Sequence, residues 1–284
     1  MNLCFKASDG FELHGHCYGD AAQAKAGLLI APAMGVEQRY YADFAHWMAS
    51  QGYLVLSFDY RGMGASRPAH CQRSLRGLDA DINTWAERDA AAALDELARR
   101  LGDARPVHWL GHSLGGQILG LLPNRARVSR AITVGAGSGY WRENATRLRR
   151  TVWWLWYVLV PLALPLYGYF PGRHLGKVGD LPRGVMVQWR RWCLHRDYLM
   201  GEGGAALRAQ YAALRVPMLS LSFTDDEFMS LRNTESLHSF YAGAQPELRR
   251  ISPQDIGERR IGHFGFFRAR FQTSLWPHVA RFLA

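Results

Sequence analysis

A Gly-x-Ser-x-Gly pentapeptide at residues 111–115 is the part of this sequence best suited to chemistry. An apolar, strand-like run precedes it at residues 107–110, and an apolar, helix-like run follows at residues 117–122. Between a strand and a helix, this pattern is typical of a sharp turn that exposes the serine hydroxyl and directs helix N–H groups towards it. The glycines are needed because the turn is strained and its neighbours leave no space for a Cβ. The pattern predicts that Ser113 is a nucleophile.

A serine nucleophile requires a base and a carboxylate that orients the base. With this type of turn, the acid follows a later strand and the histidine follows the last strand. Asp225 and Asp226 both follow the apolar run that ends at Phe223; the usual loop length favours Asp226 as the acid and leaves Asp225 as the alternative. The carboxylate that is not used would cap the next helix. His263, in a glycine-flanked loop before the last helix, is the one histidine of eleven with the required order and position.

Catalysis at Ser113 also requires backbone N–H groups that stabilise negative charge on the substrate oxygen. One is expected from Leu114, directly after the nucleophile. The other is expected from the loop after the apolar run at residues 27–31. Pro32 has no N–H, so either Ala33 or Met34 must donate, and both stay open.

Apolar runs of strand length alternate with runs of helical spacing along most of the chain. Strands are predicted at residues 27–31, 52–58, 107–110, 128–135, 216–223 and 248–251, with helices at 40–51, 81–101, 230–241 and 273–283. This alternation predicts an α/β fold with a mostly parallel central sheet flanked by helices. Residues 1–18 add two short strands around a turn at residues 8–10. We expect a core at residues 1–139 and 201–284, and an inserted helical cap at residues 140–200.

These residues resemble the α/β-hydrolase superfamily over nearly the whole chain outside the cap. Arg39-Tyr40, Gly52-Tyr53 and the stretch Phe-Asp-Tyr-Arg-Gly-Met-Gly-Ala-Ser at residues 58–66 are similar to its monoglyceride lipase and proline iminopeptidase (serine aminopeptidase-like) branch. The resemblance implies a capped serine hydrolase with no metal and no organic cofactor. In it, Ser113 is the nucleophile, Asp226 the acid and His263 the base. One departure is Ala31-Pro32, where the family usually has His-Gly, so the resemblance does not choose between Ala33 and Met34 as the second oxyanion donor.

The expected cap is rich in tryptophan. Its apolar stretch at residues 152–170 has the length of a minimal membrane span. Pro161 and Pro165 interrupt that stretch, and it lies between strands of one sheet, so we expect cap helices rather than a membrane-crossing helix. Six of the ten tryptophans lie in the cap: Trp141, Trp153, Trp154, Trp156, Trp189 and Trp192. They predict an apolar wall over Ser113, with candidate pocket residues Trp153, Trp154, Trp156, Trp189 and Trp192.

The chain is basic, with a net charge of +10 and a pI of about 9.8. Residues 140–200 hold ten basic and three acidic residues, a difference of +7; the basic ones are Arg142, Arg147, Arg149, Arg150, Arg173, Lys177, Arg183, Arg190, Arg191 and Arg196. No nucleic-acid-binding motif accompanies them, so we expect no nucleic acid partner. A cationic cap is poorly suited to the cationic α-amino group of an aminopeptidase substrate. It is compatible with weak contact with an anionic membrane surface.

Four cysteines, Cys4, Cys17, Cys71 and Cys193, lie far apart in no metal-binding spacing. Because no secretory signal opens the sequence, they indicate free thiols in the cytoplasm.

The sequence therefore predicts a cytoplasmic serine hydrolase that cleaves small carboxylic esters with a hydrophobic acyl group. An acyltransferase or an aminopeptidase-like peptidase would use the same triad and stays an alternative. A second alternative is a non-catalytic protein that binds a hydrophobic ligand or a membrane surface. Acyl length, the alcohol part and the oligomeric state do not follow from the sequence.

Overall fold

Eight strands form one sheet in the computed structural model, which describes residues 1–102, 104–176 and 179–284. The strands are β1 (Asn2–Lys6), β2 (Glu12–Tyr18), β3 (Ala26–Ala31), β4 (Tyr53–Phe58), β5 (Val107–His112), β6 (Val128–Val134), β7 (Met218–Phe223) and β8 (Glu247–Ile251). Their order is β1-β2-β4-β3-β5-β6-β7-β8. β1 and β2 pair antiparallel, β2 is antiparallel to β4, and every pair from β4 to β8 is parallel. The predicted α/β architecture is confirmed.

The central strands are buried along their whole length because helices cover both faces of the sheet. Every residue of β3, β4, β5 and β7 is buried. The helices of the described residues are α1 (Ala42–Ser50), α2 (Ile82–Thr84), α3 (Ala91–Leu101), α4 (Leu114–Gln117), α5 (Thr146–Arg149), α6 (Val152–Trp154), α7 (Val160–Tyr167), α8 (Arg183–Leu194), α9 (Met200–Ala212), α10 (Leu231–His238) and α11 (Trp276–Leu283). On one face α1 and α11 pack together through Phe44 and Trp276. The core on the other face includes α3, α4, α9 and α10.

The helix after Ser113 is shorter than its apolar pattern predicts. α4 ends at Gln117, and a 3-10 turn at Leu119–Leu121 follows. The reason is that side chains from later in the sequence take the carbonyls that a longer helix would use. The Tyr211 hydroxyl donates to the carbonyl of Gln117 at 2.7 Å, and the Tyr241 hydroxyl donates to that of Gly116 at 3.0 Å.

The chain between β6 and β7 is largely helical. It contains α5 to α9, and a π-helical segment, Leu155–Leu159, joins α6 to α7 just before Pro161, which has no N–H. No described helix is both long enough and apolar enough to cross a membrane. Lys177, one of the basic residues counted for the cap, lies outside the described residues.

Polar contacts hold this segment against the rest of the fold. Arg67 pairs with Asp180 at 3.1 Å, and Arg173 pairs with Glu37 at 2.6 Å. The side-chain oxygen of Gln188 in α8 accepts the backbone N–H of Ile82 at 2.7 Å, at the first residue of α2. These contacts keep α8 and the loop before it over the carboxyl edge of the sheet.

Candidate active site

Ser113 stands on a strained turn between β5 and α4. Its φ is 50° and its ψ is −109°, a backbone conformation that is uncommon for a residue with a side chain. The Ser113 N–H donates to the carbonyl of Val134 at the end of β6, at 2.9 Å. A Cβ on Gly115 would lie 2.1 Å from the carbonyl oxygen of Ala31, so no larger residue fits there. The turn therefore needs its glycine for the close approach of β3.

His263 and Asp226 form a buried hydrogen-bonded pair. The imidazole Nδ1 lies 2.8 Å from Oδ2 of Asp226, and both side chains are almost fully buried. The other carboxylate oxygen, Oδ1, accepts the backbone N–H groups of Phe228 and Met229, each at 2.8 Å. These bonds fix the carboxylate, which in turn assigns the proton to Nδ1 and leaves Nε2 of His263 as an acceptor.

Two neighbouring carboxylates hold the loop that carries His263. Oδ2 of Asp225 accepts the N–H groups of Ile261 at 2.9 Å and Gly262 at 3.1 Å. Glu227 accepts the backbone N–H of His263 at 2.9 Å. Asp225, the alternative acid, thus contacts the backbone of the loop, whereas Asp226 contacts the imidazole.

A chain of three hydrogen bonds links the loop after β3 to the loop that carries His263. The Ala33 N–H donates to the Tyr41 hydroxyl at 2.9 Å, and that hydroxyl lies 3.0 Å from Nδ1 of His112. Nε2 of His112 lies 3.2 Å from the carbonyl oxygen of His263. Burial lowers the pKa of His112 well below its usual value, so its ring is neutral. A neutral ring accepts from Tyr41 at Nδ1 and donates from Nε2.

This chain of bonds occupies one of the two candidate oxyanion donors. The Ala33 N–H is already bonded to Tyr41. Among the hydrogen bonds of the described residues, none is made by the Met34 N–H. Leu114 is the first residue of α4, where a backbone N–H has no partner within the helix.

A cavity of about 570 Å³ contains Ser113 and His263. Leu114, Ala33 and Met34 also line it. Its remaining wall is mostly apolar and comes largely from the chain between β6 and β7; it includes Leu148, Val152, Trp154, Leu155, Trp156, Leu159, Phe170, Met186, Trp189, Phe228 and Phe264. The fold therefore brings five of the six predicted catalytic and oxyanion residues to one apolar chamber. The sixth, Asp226, does not line the chamber and contacts it through His263.

The predicted pocket tryptophans divide into two groups. Trp154, Trp156 and Trp189 line the chamber, and Trp156 and Trp189 contact each other edge to face at 5.0 Å. Trp153 is not among the lining residues and is 47% exposed. Trp192 is buried elsewhere, against Tyr198 and with its indole N–H on Glu202.

Sequence reasoning did not identify Tyr41, Phe228 or Glu227. Phe228 packs edge to face on the His263 ring at 4.9 Å, and Tyr41 is fully buried between the oxyanion loop and His112. The roles of these three residues depend on contacts with residues that are distant in the sequence. For Glu227 alone, its position directly after the two aspartates could have indicated a place near the site.

A candidate metal-binding group lies elsewhere. The ligand atoms of Cys4, Glu12 and His14 lie within 4.8 Å of one another on β1 and β2, at the edge of the sheet. None of these three residues lines the chamber.

Comparison with known proteins relates the whole chain to one fold. The family model Hydrolase_4, described as serine aminopeptidase, S33, matches residues 22–252, which include Ser113 and Asp226 and end before His263. The chain has no match among curated proteins.

Three solved structures illustrate the likeness. A soluble variant of monoglyceride lipase from Saccharomyces cerevisiae, in complex with a substrate analog, has a TM-score of 0.69 at 14% identity, over 98% of this chain and 93% of that chain. A putative aryl esterase from Burkholderia cenocepacia has a TM-score of 0.58 at 17% identity, over 100% and 99%. A membrane phospholipase A, described as a bacterial virulence factor, has a TM-score of 0.59 at 17% identity, over 100% and 85%. At these identities the likeness establishes the fold.

Proposed function

Because the chain belongs to the serine aminopeptidase, S33, family of the α/β-hydrolase superfamily, we propose that it is a serine hydrolase that cleaves carboxylic esters. One observation carries this proposal. Ser113, on its strained turn, shares an apolar chamber with a histidine whose Nδ1 is held by a buried carboxylate. A binding protein has no need of that combination, because an apolar ligand gains nothing from an oriented imidazole.

In the proposed reaction, the same polar groups act in both steps, which are the formation of the acyl-enzyme and its hydrolysis. Nε2 of His263 removes the Ser113 proton as Oγ attacks the ester carbonyl, and Asp226 stabilises the imidazolium. The N–H groups of Leu114 and Met34 stabilise the oxyanion, with Met34 preferred because the Ala33 N–H is bonded to Tyr41. The imidazolium then protonates the leaving alcohol. Water, activated by His263, hydrolyses the acyl-enzyme and restores Ser113.

The chamber lining favours esters over aminopeptidase substrates. No aspartate or glutamate is among the described residues that line it, so a substrate's cationic α-amino group would find no carboxylate there. The apolar wall fits a hydrophobic acyl group instead. The lipase and the esterases among the structural neighbours are consistent with ester substrates. An acyltransferase would use the same residues and differs in the acceptor that reaches the acyl-enzyme.

The first test is covalent labelling with a fluorophosphonate probe, followed by hydrolysis of p-nitrophenyl esters of increasing chain length. We expect the native protein to be labelled and Ser113→Ala not to be labelled. Ser239→Ala, at an exposed serine in the 3-10 segment after α10, is the matched control and keeps full labelling. A native protein that is neither labelled nor active on any ester contradicts the proposal. Adding alcohol acceptors and analysing products then separates hydrolysis from acyl transfer.

A second candidate function, contact with an anionic membrane surface, is supported by a different observation. Six large hydrophobic side chains between residues 153 and 167 are each at least 40% exposed; we call them the cap ridge, and they are Trp153, Trp154, Tyr157, Leu162, Leu166 and Tyr167. Exposed arginines before the ridge, at positions 142, 147, 149 and 150, supply charge that complements anionic lipid. The four cysteines are free, and the cytoplasm remains our proposed compartment.

A further inference from the structure

A second cavity, distinct from the chamber, lies beside the loop after β7 that carries Asp226. It measures about 600 Å³, and its charged lining residues are Arg142, Arg149, Arg232, Arg250, Glu143 and Asp226. Asn144 and Met229 line both cavities and so stand between them. The second cavity, which we call the arginine cavity, joins the start of the predicted cap to the end of β8 and does not include Ser113 or His263.

The carboxylates of the arginine cavity neutralise one of its four arginines. Glu143 is paired with Arg232 at 3.1 Å. Oδ2 of Asp226 is bonded to the imidazole of His263, and Oδ1 accepts the backbone N–H groups of Phe228 and Met229. Within the described residues, no ion pair is made by Arg142, Arg149 or Arg250. Three guanidinium groups therefore line one cavity without a carboxylate partner of their own.

Arg250 has a buried side-chain nitrogen, Nη1, without a hydrogen-bond acceptor among the described residues. Burial lowers the pKa of this guanidinium, because the loss of water outweighs the attraction of nearby carboxylates such as Asp226. A buried cationic N–H without an acceptor is costly, so an anion that contacts the Arg250 guanidinium from the cavity would offset part of its lost hydration.

We propose that the arginine cavity binds a phosphate group. A guanidinium group binds phosphate oxygens through pairs of parallel hydrogen bonds. The positive charge of three guanidinium groups suits a phosphate dianion better than it suits a ligand with a single carboxylate. The hydroxyl-bearing residues Tyr140, Thr146 and Thr224 also line the cavity and can donate to phosphate oxygens. This site goes beyond the proposed ester hydrolysis. It shares Asp226 with the proposed triad but includes neither Ser113 nor His263, and phosphate binding by the arginines does not require ester hydrolysis.

Calorimetric titration with inorganic phosphate, in a phosphate-free buffer of fixed ionic strength, tests the site. We expect saturable binding of one phosphate per chain, weakened at least about tenfold in the Arg142→Gln/Arg149→Gln double variant and in Arg250→Gln. Both residues of the double variant are exposed, so that variant keeps the fold even if Arg250→Gln does not. Arg281→Gln, at an exposed arginine in α11, is the control and binds as the native protein does. The proposal is overturned if titration shows no saturable binding, or if the double variant and the control bind equally well.

The same chemistry can come from a soluble phosphate ester or from a lipid headgroup, and two further arms separate these sources. Glycerol 3-phosphate represents the soluble ester, and vesicles of phosphatidylcholine with phosphatidylglycerol represent the headgroup. If glycerol 3-phosphate binds and the double variant sediments with vesicles as the native protein does, the source is soluble. If vesicle binding falls in the double variant and inorganic phosphate competes with it, the source is a headgroup. Loss of phosphate binding with intact ester hydrolysis also separates this site from the proposed catalysis.

Discussion

Two adjacent aspartates do different work at the candidate site. Asp226 bonds the imidazole of His263, whereas Asp225 bonds the backbone N–H groups of Ile261 and Gly262. One side chain orients the imidazole of His263, the proposed base, and its neighbour orients the loop that carries it. This pair provides a matched comparison, because the two substitutions are chemically the same and lie one residue apart.

Asp226→Asn should lower kcat by about three to four orders of magnitude, because an amide no longer fixes the His263 tautomer or stabilises its charge. Asp225→Asn keeps one acceptor oxygen for the loop and should lower kcat by less than about tenfold. Ester hydrolysis by the two variants, with circular dichroism to verify folding, checks this. If kcat fell equally in the two variants, the assignment of Asp226 as the acid would be wrong.

Tyr41 bonds both the Ala33 N–H, in the loop after β3, and His112, which contacts the loop that carries His263. Tyr41→Phe leaves the Ala33 N–H and Nδ1 of His112 without their shared partner in a buried site. We expect the free energy of unfolding to fall by about 1–3 kcal/mol, the usual cost of leaving a buried polar group unpaired. We also expect kcat to fall more than KM rises, since the loop that presents Met34 loses its anchor. Urea unfolding and steady-state kinetics measure the two effects; unchanged kcat together with unchanged stability would show that the chain of bonds has no role.

At the scale of elements, helix α10 is attached to β6 through a buried histidine. His238 donates from Nδ1 to the carbonyl of Thr234 at 2.6 Å, and its Nε2 accepts from the Thr133 hydroxyl at 2.8 Å. Burial lowers the pKa of His238 to about 4 in the folded protein. In an unfolded chain an ordinary histidine has a pKa of about 6.5. Between about pH 4 and pH 6.5, His238 is therefore protonated in the unfolded state and neutral in the folded state.

Stability should consequently fall as the pH falls from about 6.5 to about 4, by about 3 kcal/mol from His238 alone. His238→Gln removes this titration, so its free energy of unfolding should depend less on pH than that of the native protein. Urea unfolding at pH 7.5 and 4.5 gives the comparison. Equal pH dependence in the two proteins would contradict the prediction.

The elements nearest the nucleophile show what a sequence can and cannot predict. The strands, the turn at Ser113 and the positions of Asp226 and His263 could be predicted, because local apolar patterns and chain order determine them. The length of α4 could not, because Tyr211 and Tyr241 end it from more than 90 residues away. The partner of the Ala33 N–H could not be predicted either, since it depends on how the 3-10 segment Gln38–Tyr41 packs against the loop after β3.

Trp153 and Trp192 illustrate the same limit in the predicted cap. Composition identified an aromatic segment that contributes to the chamber wall. It could not tell which rings face inward, because that depends on how the helices pack. Trp153 of α6 is exposed, whereas Trp192 of α8 packs against Tyr198.

At the scale of the whole molecule, the cap ridge is the main exposed apolar surface of the described residues. Trp153 and Leu166 belong to the ridge and do not line the chamber. Trp153→Ser/Leu166→Ser should therefore reduce co-sedimentation with phosphatidylglycerol vesicles about tenfold or more, while hydrolysis of soluble p-nitrophenyl esters stays unchanged. Leu248→Ser, at a 43% exposed leucine of β8, is the control for removing an exposed apolar side chain elsewhere. Native protein that fails to bind the vesicles, or a double variant that binds like the control, would refute ridge-driven contact.

The chain between β6 and β7 leaves and rejoins the sheet at strands that pair directly with each other, from Ala131 opposite Met218 to Val134 opposite Leu221. An excursion that starts and ends on adjacent strands can change in length and composition without altering strand order or register. Ser113 precedes this excursion, while Asp226 and His263 follow it. The residues proposed for catalysis therefore lie outside residues 140–200, whereas much of the chamber wall lies within them. A different helical insert at this position would change the shape of the chamber and leave in place the strands that precede Ser113, Asp226 and His263.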